Sequence, residues 1–188
     1  MKIAVLGGRF DPPHVGHLLI AQQVLEKRPD IKDVWFIPAN IHQWKETEAT
    51  AKQRLDMLQY FENDRMKISD TEITRGGISY TIDTIAEIKE KFGHEIYWIV
   101  GSDIVSEFDR WEKTEELTTL ATFLVFPRNP YKLPQTLPKG FEIIDTKDLI
   151  TTNLSSTIIR ERIKKDLPIT HLVPKKVEEY IKSKKLYV

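Results

Sequence analysis

The sequence predicts an α/β fold: a doubly wound, mostly parallel sheet with helices on both faces. Three observations predict it. Short apolar runs alternate along the chain with helical patterns. The runs are continuously apolar, as expected of strands covered on both faces. Glycine and proline fall at their ends. The 188 residues, 40% hydrophobic and 30% charged, suit one domain that can bury a core. Residues from about 150 to 188 form a C-terminal helical subregion.

"KIAVLG" (2–7) reads as a buried strand, and 15–27 as a helix with Leu18, Ala21 and Leu25 in helical register before Pro29-Asp30. "DVWFIP" (33–38) is a second strand, closed by a proline that cannot donate to a ladder. A helix is expected over 50–63 and a short, partly alternating strand over 66–73. Gly76-Gly77 marks a turn. In the helix that follows, Ile85, Ile88 and Phe92 repeat, and Gly93 supplies the stop. "EIYWIVG" (95–101) is the strongest strand, followed by helical pieces broken near Asp109 and a strand over 121–127. Four prolines and a glycine make 127–140 a loop, and 141–145 a last strand. Helices start near Ser155 and Pro174, the second with Val177, Tyr180 and Ile181 on one face.

Basic and acidic residues balance at 28 each, which argues against a broad nucleic-acid-binding surface while allowing a local anion site. From Arg160 to Val188 there are nine Lys/Arg against four Asp/Glu, the pattern of a solvated helical face or of a phosphate-attracting one. Cysteine is absent, so disulfides and thiolate metal sites are excluded. The opening apolar stretch is too short for a signal peptide and no segment reaches membrane-spanning length, so a cytoplasmic protein without membrane contact is expected. A homo-oligomer is compatible with the sequence, because exposed apolar patches and core residues read alike.

Ligands of such sheets bind beyond the carboxyl ends of strands, and "GGRFDPPHVGH" (7–17) lies just there. Gly7 and Gly8 let a ligand approach the backbone without a Cβ in the way. Asp11-Pro12-Pro13 bends the chain into a helix whose first N–H groups favour an anion. His14 and His17, three apart, share a face and can donate to phosphate oxygens. No metal site is assigned: a zinc pair would lack further ligands. Neither a P-loop nor a G-x-G-x-x-G is present. Near the other end, "LSSTIIR" (154–160) supplies a helix N-cap and Arg160 in the first turn, a second anion site.

"HVGH" resembles the H-x-G-H signature of the nucleotidyltransferases related to class I aminoacyl-tRNA synthetases. The longer stretch is similar to the GG(S/T)FDPxHxGH opening of the bacterial nicotinate-mononucleotide adenylyltransferases, and "SSTIIR" to their ISSTxIR. "SYTIDT" (79–84), "WIVGSD" (98–103) and "RW" followed by "EEL" (110–117) match in family order, so the resemblance runs from residue 3 to about 180. Two positions depart. The family's PPHK is here "HQWK" (42–45), with Trp44 before the lysine and His42 two places earlier, and Arg9 replaces a small Ser/Thr.

The resemblance implies a Rossmann-like fold. It also implies transfer of AMP from ATP to nicotinate mononucleotide, with Mg²⁺ carried mainly on the ATP phosphates. His14, His17, Lys45 and Arg160 would be catalytic. ATP would meet Gly7, Gly8, Arg9, Phe10, Gly101, Asp103, Ser155, Ser156 and Thr157 as well as His14, His17 and Arg160. The mononucleotide would meet Gly8, Lys45, Tyr80, Thr81 and Trp111. Asp11 and Asp103 are further candidates to order the metal or bind ribose. The alternatives are preference for nicotinamide mononucleotide, another H-x-G-H nucleotidyltransferase, or a non-catalytic nucleotide-binding regulator.

Overall fold

The computed structural model describes residues 1–134 and 136–188. Along the chain it forms β1 (Lys2–Gly8), α1 (Val15–Lys27), β2 (Asp33–Pro38), β3 (Ile41–His42), α2 (Ala51–Leu58), β4 (Met66–Ile68), α3 (Thr71–Arg75) and β5 (Ile78–Ser79). There follow α4 (Thr81–Phe92), β6 (Glu95–Gly101), α5 (Ser102–Val105), α6 (Thr114–Leu120), β7 (Thr122–Phe126), β8 (Phe141–Ile143), α7 (Ser156–Lys164) and α8 (Lys175–Lys184). Single 3₁₀ turns occupy Gln59–Phe61 and Phe108–Arg110.

Six strands form one parallel sheet in the order β4-β2-β1-β6-β7-β8. The apolar run of β1 divides by pleat. Ala4 and Leu6 point to a core shared with α1, α2, α7 and α8, through Val24, Met57, Ile159 and Val177. Ile3 and Val5 point to the opposite core, with Ile85 and Ile88 of α4 and Leu117 of α6. Helices on both faces explain why the strands are apolar throughout. Because α7 and α8 pack into the same core as β1, the basic C-terminal stretch is held against the sheet. Among the described residues no helix is long and apolar enough to cross a membrane.

Local chemistry sets most boundaries. Thr50 and Gln53 form a reciprocal capping box at α2, with Thr50 Oγ1 accepting from the Gln53 N–H at 3.2 Å and Gln53 Oε1 accepting from the Thr50 N–H at 2.9 Å. Gly93 ends α4 in the left-handed conformation, φ 62°. The expected strand over 66–73 stops at Ile68. Ser69 and Asp70 turn the chain with side-chain hydrogen bonds to Thr71 and Thr74, and the remainder becomes α3. The two-residue strands β3 and β5, which pair in parallel as a separate small sheet, have no signal in the sequence.

Candidate functional site

The direction of winding reverses between β1 and β6, and a cavity of about 390 Å³ opens beyond the carboxyl ends of β1, β2, β6 and β7. Fifteen predicted residues line it: Gly7, Gly8, Arg9, Phe10, His14, His17, Lys45, Tyr80, Thr81, Gly101, Asp103, Trp111, Ser155, Ser156 and Thr157. Arg160 does not.

The start of α1 is organised around two stacked imidazoles, His14 and His17, with ring centroids 3.7 Å apart. Gly16 makes this possible, because a Cβ there would lie 2.9 Å from His14 Nδ1. The His14 backbone N–H donates to His17 Nδ1 at 3.1 Å, so the proton of neutral His17 sits on Nε2. Burial, together with the positive charge of Arg128, pushes His14 down to about 3; burial and the neighbouring His14 hold His17 well below the usual imidazole range. Both rings are therefore neutral hydrogen-bonding groups at neutral pH. Phe10, buried in the left-handed region at φ 51°, sets its ring edge-on against His17 at 4.9 Å. That conformation is strained for a bulky side chain.

Two expectations about this stretch need correction. The missing Cβ of Gly7 accommodates the protein itself, since it would lie 2.6 Å from the Trp98 indole of the neighbouring strand. The first N–H of α1 is not free, because Val15 donates to the Leu172 carbonyl at 3.0 Å.

The two motifs meet. Ser156 Oγ donates to the Pro12 carbonyl at 2.8 Å and Arg160 Nη1 to the Asp11 carbonyl at 2.7 Å, which fixes the start of α7 beside the start of α1. Arg160 also donates from Nε to Glu48 at 2.9 Å, so its guanidinium is engaged away from the cavity wall. Asp11 is 1% exposed. Its carboxylate accepts from the Glu48 and Ala49 N–H groups and from the Tyr187 hydroxyl, at 2.8, 3.0 and 2.8 Å. It is thus a structural tether, unavailable to metal or ribose. No group of three or more His, Asp or Glu side chains among the described residues could hold a metal ion.

Three buried polar atoms of cavity residues lack a hydrogen-bond partner among the described residues: His14 Nδ1, Asp103 Oδ1 and Trp111 Nε1. Buried polar groups are normally paired, so these three call for a water, an ion or a ligand group as partner. Asp103 is oriented through its other oxygen, which accepts from Arg128 Nη1 at 3.0 Å, and Gly101 leaves it room.

A sequence model of the cytidylyltransferase-like family matches residues 5–162. A probable nicotinate-nucleotide adenylyltransferase of Oceanobacillus iheyensis is 38% identical over 99% of this chain and 96% of its own length. The chain belongs to the nicotinate-nucleotide adenylyltransferase family. The Bacillus subtilis nicotinate-nucleotide adenylyltransferase is 34% identical over 99% of this chain and 98% of its own. A structure of the Plasmodium falciparum nicotinic acid mononucleotide adenylyltransferase complexed with NaAD shares the fold, with a TM-score of 0.83 at 21% identity over 99% of this chain and 97% of that one.

Within this family member, several site residues had no signal in the sequence. Arg54 on α2 is 1% exposed and donates to the carbonyls of Ala49, Arg9 and Asn40, clamping three loops beneath the cavity. It resembles a surface charge on an amphipathic helix. Glu72, buried and raised above its usual range mainly by burial, accepts from Thr84 at 2.7 Å and lines the cavity near Tyr80. Arg128 was findable in principle, since it follows a predicted strand at its carboxyl end.

Proposed function

We propose that the chain transfers AMP from ATP to nicotinate mononucleotide, giving nicotinate adenine dinucleotide and pyrophosphate. The observation that carries this reading is the meeting of the 7–17 and 155–160 segments at one cavity, tied by Ser156 to Pro12 and by Arg160 to Asp11. An oxygen of the mononucleotide 5′-phosphate attacks the α-phosphorus of ATP. The bond to the bridging oxygen of the β-phosphate breaks, and pyrophosphate leaves with the electron pair. The nucleophile is already ionised, so no general base is needed, and catalysis consists of positioning and stabilisation of developing charge.

His17 serves this step from Nε2–H toward the α-phosphate, with His14 stacked beside it. Ser155, Ser156 and Thr157 face the phosphate tail, and Lys45 approaches it from the loop after β3. Arg160 joins them on release from Glu48. Asp103 Oδ1 accepts from a ribose hydroxyl. The mononucleotide lies between Tyr80-Thr81 and Trp111, whose indole is backed by Phe108 and Phe123 with centroids 5.7 and 6.1 Å away. Mg²⁺ arrives on the ATP phosphates, in keeping with its preference for water and phosphate oxygens.

The test is pyrophosphate release from ATP and Mg²⁺ with nicotinate or nicotinamide mononucleotide, side by side. A kcat/KM favouring nicotinate is expected. A strong preference for the amide overturns the substrate while keeping the chemistry, and no release with either overturns the reading.

A further inference from the structure

A contact joins two cavity-lining loops that lie on opposite sides of β1. Trp44 lies on the loop after β3, and Arg110 ends the 3₁₀ turn beyond β6. The Arg110 guanidinium carbon sits 5.1 Å from the centroid of the Trp44 ring. Trp44 is 40% exposed yet lines the cavity. Trp111 and Glu112, the next two residues after Arg110, line the same cavity.

Both loops are braced elsewhere. The Trp44 backbone N–H donates to His42 Nδ1 at 3.2 Å, and Arg9 Nη1 holds the same loop through the Glu46 carbonyl at 3.0 Å. On the opposite side, Phe108 is buried against Phe123 and Phe141 with centroids 4.9 and 4.8 Å away. The link between them is a cation over an indole, the aromatic that attracts cations best. An imidazole, as in the family's PPHK, offers a smaller face. This chain therefore joins the two loops with a contact that the family pattern does not supply.

We propose that Trp44, held by Arg110, is a specificity-determining wall of the mononucleotide end of the cavity, opposite Trp111. Arg110 acts as a positioning residue: it covers one side of the indole and fixes where the ring stands over the bound mononucleotide. The proposal rests on the adenylyltransferase reading, because it needs the mononucleotide to occupy the space beside Trp111.

A double-mutant cycle tests it. Steady-state pyrophosphate release is measured for wild type, Trp44→Ala, Arg110→Ala and the double variant, varying ATP and nicotinate mononucleotide separately. Trp44→Ala should raise KM for the mononucleotide about three- to tenfold, with kcat and KM for ATP nearly unchanged. Arg110→Ala should raise the same KM by a smaller factor, the double variant should match Trp44→Ala alone, and Trp44→Phe should recover most of the loss. Neither side chain belongs to the buried core, Trp44 being 40% exposed and Arg110 59%, so the variants should fold, as circular dichroism will report. Additive effects, or an effect on KM for ATP in place of the mononucleotide, overturn the proposal. If wild type turns over and Trp44→Ala leaves the mononucleotide KM unchanged, only the clasp falls. If wild type releases no pyrophosphate, the parent reading falls and the proposal with it.

Discussion

Arg160 donates from Nε to Glu48 Oε1 at 2.9 Å, and Lys164, one turn further along α7, reaches the same oxygen at 3.2 Å. The carboxylate stands where a phosphate tail would stand to meet both cations. Glu48→Gln should therefore lower KM for ATP. The pair is partly exposed, which limits the effect to about fivefold, on the order of 1 kcal/mol, and added salt should shrink it further. Initial-rate kinetics at two ionic strengths will measure it. A raised KM would mean that Glu48 positions Arg160 for the substrate.

His17 has its ring N–H on Nε2 and is fixed by the His14 backbone, so in the proposed reaction it would act as a preorganised donor. His17→Ala should lower kcat by roughly 10²-fold or more, with a smaller change in KM for ATP. A folded variant with near-normal turnover removes His17 from the reaction.

The histidine pair also couples stability to pH. His14 titrates near 3 in the folded chain and near 6.5 when unfolded. Between those values the unfolded chain binds a proton that the folded chain does not, so stability falls as pH drops through this window. The loss from His14 alone should be on the order of 2 kcal/mol at pH 5. Urea unfolding at pH 7.5, 6 and 5 should give a shallower pH dependence for His14→Gln than for wild type. Parallel curves would show that the imidazole is not held neutral.

Tyr187 is buried with its hydroxyl on the Asp11 carboxylate at 2.8 Å. Tyr187→Phe keeps the ring and removes only that donor. It should cost roughly 1.5–3 kcal/mol, as expected for a hydrogen bond to a charged group, read by thermal or urea unfolding. Unchanged stability would mean that the two backbone N–H groups satisfy Asp11 unaided.

Strands and helices were legible because burial on both faces writes itself as continuous apolar runs, as in Ile3 to Leu6 and Ile96 to Val100. The strand expected over 66–73 failed because Ser69 and Asp70 bond to nearby side chains, a local competition that hydrophobic patterning does not register. The cavity residues were legible as a motif, but their partners were not. Arg54 satisfies its charge on backbone carbonyls, and no residue type advertises a carbonyl. Tyr187 reaches Asp11 across 176 positions. Arg160 carries the expected charge on the expected helix, yet Glu48, remote in sequence, decides where its guanidinium points. Gly7 invited a ligand explanation, whereas the indole of Trp98, on the adjacent strand but remote in sequence, fills the space of its missing Cβ.

The tie between Tyr187 and Asp11 also bears on the order of folding. The bend before α1 is local in sequence, but its carboxylate anchor, Asp11, is complete only when Tyr187, 176 positions later, has docked on it. Until then the Asp11 carboxylate has only the Glu48 and Ala49 N–H groups. The bend should therefore be a late element of folding, since a contact so remote in sequence carries a large loop-closure cost.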